Sequence, residues 1–182
     1  MDALIAEAIK GDEEAFSALI ISIEEDLYKI ARMRFSCEDD INDAVQETII
    51  QAYKSIKKLK EPEYFKTWII KILINKCNKL YRKLQKNNFV EYDESVISMQ
   101  FNDEDKLISD LDFFILIKNL SYDERITLTL YYLENLTTKQ ISEILKEPES
   151  TIRNRISRAR IKLKNECEGG VLKWEKKKLT EK

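Results

Sequence analysis

The chain has 182 residues, of which 43% are hydrophobic and 35% charged, enough to bury a core in one large domain or two small ones. Its three glycines and two prolines are too few for the many tight turns of a sheet fold. The formal net charge of −2 excludes a protein that is basic overall. The composition therefore predicts an all-α protein built of long helices.

Several function classes are disfavoured by what the chain lacks. It has no histidine, and Cys37, Cys77 and Cys167 are too scattered to form a zinc site. It also has no nucleophile motif and no Gly-rich phosphate loop, so we expect no metal, no cofactor, no small-molecule substrate and no enzymatic activity. The cysteines are predicted to be reduced, buried apolar groups. The absence of a signal peptide and of a membrane-spanning apolar run predicts a cytoplasmic protein.

The charges fall into four blocks of alternating sign. Residues 1–52 carry a net charge of −9, residues 53–90 +9, residues 91–124 −8 and residues 125–182 +6. Two basic blocks, each preceded by an acidic one, indicate two separate surfaces that face a polyanion. Any single block could equally be a solvated helix face.

Helical periodicity predicts a first domain at residues 1–88. One or two amphipathic helices are expected within residues 12–35, followed by a helix at about 39–56. Pro62 breaks helical continuity, and a further helix is predicted at about 64–86.

The rest of the chain is predicted to hold a linker, a second helical domain and a tail. Residues 89–106 show no sustained period and are rich in acidic residues, which is typical of a flexible linker. The second domain is expected at residues 107–167, with a short basic tail at 168–182. Two capping boxes mark helix starts in this domain, Ser121 with Glu124 and Thr137 with Gln140.

Residues 137–163 have the pattern of a helix-turn-helix. The first helix is predicted from Thr137 to about Leu145, and the second begins at about Ser150 after a short turn. One side of the second helix is apolar, at Ile152, Ile156, Ala159 and Leu163. Its other side presents the side chains that we expect to bind duplex DNA, namely Ser150, Thr151, Arg153, Asn154, Arg155 and Arg158. The alternative is a helical hairpin with a solvated basic face.

The helix at 64–86 carries a second candidate nucleic-acid surface. Lys71, Asn75, Lys79 and Arg82 recur at spacings of three and four, on one side of the predicted helix. Cations and amides next to aromatic residues (here Tyr64 and Phe65) are typical of a groove for single-stranded nucleic acid. Trp68 lies on the apolar side and is predicted to belong to the core.

Both halves of the chain resemble regions of the extracytoplasmic-function (ECF) sigma factors. Residues 39–86, which include DDINDAVQETIIQAY, resemble region 2, and the segment LSYDERITLTLYYLENLTTKQISEILKEPESTIRNRISRARIKL resembles region 4. The resemblance implies two small helical domains and no catalytic site. It also implies that the chain binds core RNA polymerase and promoter DNA, and that an anti-sigma factor, possibly membrane-anchored, holds it inactive.

The resemblance assigns roles to particular positions. Asp43, Gln46 and Glu47 would contact the polymerase, and Ile50 shares their helical stripe, opposite the apolar one. The loop at 57–63, with Lys58 and Lys60, and the following helix would melt the minus-ten element, with Asn75 near the melted strand. The helix-turn-helix would recognise the minus-35 duplex.

The helix-turn-helix turn departs from the pattern of that family. Lys146 and Glu147 stand where a glycine and an apolar residue are usual, and Ser150 stands where glycine is frequent. We therefore expect a wider or more exposed turn. A stand-alone helix-turn-helix regulator remains the alternative function.

Overall fold

The computed structural model describes residues 1–86 and 113–167, and these residues form helices and turns without a strand. The predicted linker at 89–106 and the predicted tail at 168–182 lie outside the described residues. The helices are α1 (Asp2–Lys10), α2 (Glu13–Ala31), α3 (Glu38–Ser55), α4 (Phe65–Lys86), α5 (113–117), α6 (Tyr122–Leu128), α7 (Thr138–Leu145) and α8 (Glu149–Cys167). The all-α prediction is confirmed.

Residues 1–86, called the N-terminal unit below, begin with a helical hairpin. Gly11 ends α1 in the left-handed conformation, with φ of 104°, and its amide donates to carbonyl groups of the last turn. Asp12 then caps α2, accepting a hydrogen bond of 2.8 Å from the amide of Ala15. A glycine in the left-handed region followed directly by an acidic N-cap is a favourable way to end one helix and start the next.

Helices α2, α3 and α4 pack around one apolar core. On α3 the buried side chains are Ile41, Ala44, Val45, Thr48 and Ala52, which recur at helical spacing and leave the opposite side in solvent. Two short 3₁₀ turns, Ile56–Lys58 and Pro62–Tyr64, connect α3 to α4. Pro62 stands in the first position of the second turn, where its missing N–H costs no hydrogen bond.

Residues 113–167, called the C-terminal unit below, start α6 and α7 with the two predicted capping boxes. Ser121 and Glu124 exchange hydrogen bonds at the start of α6, and Thr137 and Gln140 do so at the start of α7. A π-helical turn, Thr129–Leu133, continues α6. Ile152, Ile156 and Ala159 bury one side of α8 as predicted.

Cys37 and Cys77 differ in their environments, and the side chain of Cys167 lies outside the described residues. Cys77 is buried on α4, and burial raises the pKa of its thiol to about 12. Cys37 is exposed at the start of α3, so its predicted burial is wrong: the N-cap position lies outside the apolar face of that helix.

The two units share one core. Arg125 of α6 is 5% exposed, and its guanidinium donates to the carbonyl of Leu120 at 2.7 Å and to that of Met33, in the N-terminal unit, at 3.4 Å. Glu134, 3% exposed, forms an ion pair of 2.9 Å with Lys66 of α4. Buried polar groups that find partners across a contact favour one arrangement of the two units.

Candidate nucleic-acid and polymerase interfaces

The predicted basic stripe on α4 lies on the surface. It comprises the exposed residues Lys71, Asn75, Lys79 and Arg82, which are called the α4 stripe below. The side-chain amide of Asn75 donates to the carbonyl of Lys71 at 2.7 Å, which orients the amide plane. The ammonium group of Lys146, on the C-terminal unit, lies 3.4 Å from the amide oxygen of Asn75. That oxygen is therefore an acceptor directed away from its own helix.

One wall of a cleft between the two units is lined by three residues of the α4 stripe, Asn75, Lys79 and Arg82. The cleft has a volume of about 730 Å³, and residues of α6, α7 and the turn after α7 form its other wall. Six basic side chains line it against two acidic ones: Arg34, Lys79, Arg82, Lys83, Lys86 and Lys146 against Asp123 and Glu147. This excess of positive charge, together with Asn75 and Asn78, favours a polyanionic ligand with hydrogen-bonding groups.

The aromatic residues at the start of α4 take different positions. Tyr64 is 53% exposed, and a hydrogen bond to Glu63 raises the pKa of its phenol. Phe65 is 1% exposed, so the prediction that it contacts DNA is wrong for this conformation, in which its side chain belongs to the core. Trp68 is partly buried against the same core, as predicted, with its ring centroid 5.9 Å from that of Phe65. Lys58 and Lys60 are exposed in the connection.

The predicted polymerase-binding residues share one exposed stripe of α3. This α3 stripe comprises Asp43, Gln46, Glu47 and Ile50, and the side chain of Ile50 is 48% exposed. Glu47 accepts a hydrogen bond of 2.9 Å from Lys76 of α4, and this bond and the lysine charge lower the pKa of the carboxyl group. An exposed aliphatic residue beside carboxylates suits a protein partner that is both basic and apolar.

Tyr53 is exposed beside the α3 stripe and was not among the polymerase-binding residues predicted from the sequence. It is 49% exposed, its hydroxyl donates to Glu13 at 2.7 Å, and its ring packs edge-on against Phe16. The signal was present, because position 53 lies three residues after Ile50 on the same helix.

The outer side of α8 presents most of the residues predicted to contact duplex DNA. Ser150, Arg153, Asn154 and Arg158 are exposed and Thr151 is half-buried, and together these five residues form the α8 face. Arg153 donates to Glu149, one turn earlier, at 2.7 Å. Ser157 and Ile161 continue this exposed side and were not among the predicted contacts.

Arg155 does not share the α8 face. Its side chain is 15% exposed and pairs at 2.5 Å with Glu147 in the turn before α8. The predicted role of Arg155 as a DNA contact is therefore wrong for this structure, since its guanidinium is directed to the protein.

In the turn between α7 and α8, Lys146 stands where a glycine is usual. Lys146 adopts the left-handed conformation, with φ of 59°, which a glycine adopts at lower cost. The turn was expected to be wider or more exposed. It holds three residues, the usual length, so it is not wider, but Lys146 is exposed. Glu147 is half-buried and pairs with a cation where an apolar contact is usual.

Within the described residues, no helix is both long enough and apolar enough to cross a lipid bilayer.

Comparisons with known proteins agree with this two-unit arrangement. The family model described as sigma-70 region 2 matches residues 19–87, and that described as sigma-70 region 4 matches residues 116–163. Two solved structures share the fold. CnrH in complex with the cytosolic domain of CnrY has a TM-score of 0.65 and 23% identity, over 93% of this chain and 98% of that one. The sigma factor RpoE of Bartonella quintana, in complex with the anti-sigma factor NepR, has a TM-score of 0.63 and 24% identity, over 82% and 94%.

Curated relatives establish the family. The ECF RNA polymerase sigma-E factor of Haemophilus influenzae is 31% identical over 181 residues, covering 91% of this chain and 94% of the relative. The RNA polymerase sigma factor SigV of Bacillus subtilis is 31% identical over 136 residues, covering 75% and 81%. A match to region 2 does not favour a stand-alone helix-turn-helix regulator. The chain therefore belongs to the sigma-70 family, in its extracytoplasmic-function group, and is a sigma factor that directs transcription initiation.

Proposed function

We propose that this sigma factor acts through three surfaces, which are the α3 stripe, the α4 stripe and the α8 face. The observation that carries the proposal is that each lies on the exposed side of a helix whose opposite side builds the shared core. Such residues can bind a partner without loss of core packing.

The α3 stripe docks on core RNA polymerase. Its two carboxylates, Asp43 and Glu47, suit a basic partner helix, and Ile50 supplies an apolar contact at the same surface. The ion pair between Glu47 and Lys76 is exposed, so it can exchange its lysine for a polymerase arginine at small cost.

The α4 stripe, with Lys58, Lys60 and Tyr64, engages the melted strand of the minus-ten element. The cations follow the phosphate backbone, Tyr64 offers a ring on which a base can stack, and Asn75 offers hydrogen bonds to a base edge. Strand binding requires Lys146 to release the amide oxygen of Asn75 and the cleft to admit the strand.

The α8 face reads the minus-35 duplex in the major groove. Arginine can bind guanine through two hydrogen bonds and asparagine can do the same with adenine, which suits Arg153, Arg158 and Asn154. Ser150 and Thr151 lie in the first turn of α8, where their hydroxyl groups can contact phosphates.

Promoter opening is driven by binding free energy, without a catalytic step in this chain. Two DNA contacts on one polymerase-bound scaffold raise the effective concentration of each domain at its site, so neither must bind tightly alone. The capture of unstacked bases stabilises the open form.

An anti-sigma protein is the proposed regulator, and the polymerase partner implies a cytoplasmic site of action. Both solved structures of similar fold were determined as complexes, CnrH with CnrY and RpoE with NepR. Addition of a co-purified partner to a transcription reaction should lower RNA synthesis; unchanged synthesis would contradict this part of the proposal.

In vitro transcription over a random promoter library tests the proposed function. The purified chain with core polymerase should yield transcripts that share two separated sequence elements, whereas core polymerase alone should yield no such set. In a gel shift, the chain should need core polymerase for sequence-selective binding. Tight selective binding by the chain alone, without transcription, would overturn the proposal.

A further inference from the structure

We propose that Arg155 is a positioning residue, which joins the helix-turn-helix turn to α6 and sets the orientation of the α8 face. This inference rests on the proposed reading of duplex DNA by α8. It concerns an arginine that helical spacing places among the DNA contacts but that the structure turns inward.

The guanidinium of Arg155 connects three segments of the C-terminal unit. One terminal nitrogen donates to the carboxylate of Glu147, in the turn, at 2.5 Å, and the other donates to the hydroxyl of Thr127, on α6, at 3.2 Å. Thr127 is fully buried, and its own hydroxyl donates to the carbonyl of Asp123 at 2.6 Å. A planar guanidinium held at two nitrogens has little freedom to rotate, so α8 is oriented relative to both α6 and the turn.

Glu147 is itself held to α7. Its carbonyl accepts a hydrogen bond of 2.6 Å from the hydroxyl of Ser142, and its amide donates to the carbonyl of Ser142 at 3.1 Å. The main chain of Glu147 is therefore hydrogen-bonded to α7, while its side chain is bonded to Arg155 of α8. The Glu147–Arg155 pair thus transmits the position of the first helix to the second.

The neighbouring arginines lack this environment. The side chain of Arg153 is 66% exposed. Among the described contacts it pairs only with Glu149, which also lies on α8. Arg158 is exposed on the same side. Arg153 and Arg158 can therefore reach DNA, whereas a guanidinium that is 15% exposed and donates inward at two nitrogens cannot do so without breaking its contacts.

Orientation matters because base recognition tolerates little displacement. A binding constellation must be held to about 0.5 Å of its productive geometry to keep its selectivity. The α8 face begins at Ser150, one residue after the helix starts, so a change in the tilt of α8 at the turn displaces every side chain of the face. Loss of the pair should therefore reduce base selectivity more than it reduces phosphate attraction.

The test compares holoenzymes of core polymerase with the wild-type chain, Arg155→Ala and Arg158→Ala on a promoter selected from the random library. Each holoenzyme is assayed against single-base changes in the upstream element and over a range of salt. Arg155→Ala should lose about five- to tenfold in preference for the selected bases, with the salt dependence of binding unchanged. Arg158→Ala should lower the slope of log affinity against log salt by about one if it contacts a phosphate.

Charge reversal supplies a readout that a direct DNA contact would not move. Glu147→Arg and Arg155→Glu should each lose selectivity, and the double variant should recover at least half of it, because the pair is rebuilt with opposite polarity. The matched control combines Glu147→Arg with Arg158→Glu, and here we expect no recovery. Amide hydrogen exchange at residues 147–152 should rise in Arg155→Ala and return toward the wild-type rate in the double reversal.

The outcomes separate this inference from the proposed function. One outcome overturns the positioning role alone. In it, the wild-type chain initiates transcription, Arg155→Ala lowers the salt slope as Arg158→Ala does, and the double reversal recovers no selectivity. Failure of the wild-type holoenzyme to start RNA synthesis from any template overturns the proposed function, and the positioning role with it.

Discussion

Arg34, in the turn that follows α2, stacks on Tyr122 of α6, with its guanidinium carbon 4.1 Å from the ring centroid. The same carbon lies 3.5 Å from the ring centroid of Tyr81 on α4. The Nε atom of Arg34 is buried and has no hydrogen-bond partner, so the rings supply much of the stabilisation that this part of the cation receives. Arg34 therefore links the two units of the sigma factor.

Replacement of Arg34 by alanine should lower the free energy of unfolding by about 2 kcal/mol, the magnitude expected of a desolvated cation–π contact. Arg34→Lys should retain part of this stability, because it keeps the charge but loses the planar stacking. Urea denaturation measures both, with Arg158→Ala on the surface of α8 as the matched control. Equal stability of Arg34→Ala and Arg158→Ala would contradict the role of Arg34 between the units.

Glu134 should make the free energy of unfolding of the chain depend on pH. Burial and the nearby charge of Asp26 raise the pKa of this carboxyl above its ordinary 4.5, while Lys66 and Lys29 lower it to a smaller extent. The folded chain thus binds the proton more tightly than the unfolded chain. The stability gained from that proton is complete below pH 4.5 and is lost as the pH rises through the raised pKa.

The variant Glu134→Gln removes this titration. Wild type and variant should have similar stability below pH 4.5, and the variant should become the more stable one as the pH rises, by about 1.4 kcal/mol for each unit by which the pKa is raised. Urea denaturation at a series of pH values measures the difference. The exposed Gln51→Ala is the control, because it exchanges an uncharged side chain and its difference from wild type should stay constant with pH. A constant difference for Glu134→Gln would contradict the proposed pH dependence.

Charge reversal on the α3 stripe should abolish association with core polymerase. Asp43→Lys together with Glu47→Lys replaces two exposed carboxylates with cations, which repel a basic partner surface. Both positions lie in solvent, so the variant should keep its fold, which circular dichroism checks. Gel filtration with core polymerase measures association.

The matched control for this reversal is Asp2→Lys with Glu14→Lys, which changes the net charge equally at exposed sites off the α3 stripe. The control should co-elute with polymerase as the wild type does. Co-elution of the Asp43 and Glu47 variant would remove the docking role from the α3 stripe.

Asn75→Ala should impair promoter opening more than initial duplex binding. The amide lies on the exposed wall of the basic cleft, where it can hydrogen-bond an unstacked base but has no base edge to contact in closed DNA. Permanganate footprinting measures opening, and a gel shift of the holoenzyme measures binding. Gln85→Ala, an exposed amide near the end of the same helix, is the control. Equal loss in both assays would exclude a specific role in melting.

Much of the fold could be predicted because it depends on neighbours along the chain. The capping boxes at Ser121 and Thr137 involve residues three positions apart, and the apolar positions of α3 and α8 recur at the helical period. Such patterns also indicated which side of each helix faces solvent. The exposure of the α3 stripe, the α4 stripe and most of the α8 face follows from them.

The errors arose where contacts distant in the chain decide the environment. Phe65 stands next to exposed Tyr64, and only the packing of α4 against the rest of the core buries its ring. Arg155 stands among exposed arginines, but its partners lie eight and 28 residues away, in the turn and on α6. The sequence marks both as available to DNA, since a local pattern reports the side of a helix and not what covers it.

The sequence alone thus determined most of the helices, the two capping boxes and the charged stripes, because each arises from contacts within one or two helical turns; α1 and α5 were not predicted. Tertiary structure alone decided that Arg125 reaches the carbonyl of Met33, 92 residues away. It also decided that Arg34 links the two units and that Arg155 is hydrogen-bonded to Glu147 in the turn. The physical reason is that a guanidinium has five donors and a long side chain, so its partners depend on which helices the folded chain brings within its reach.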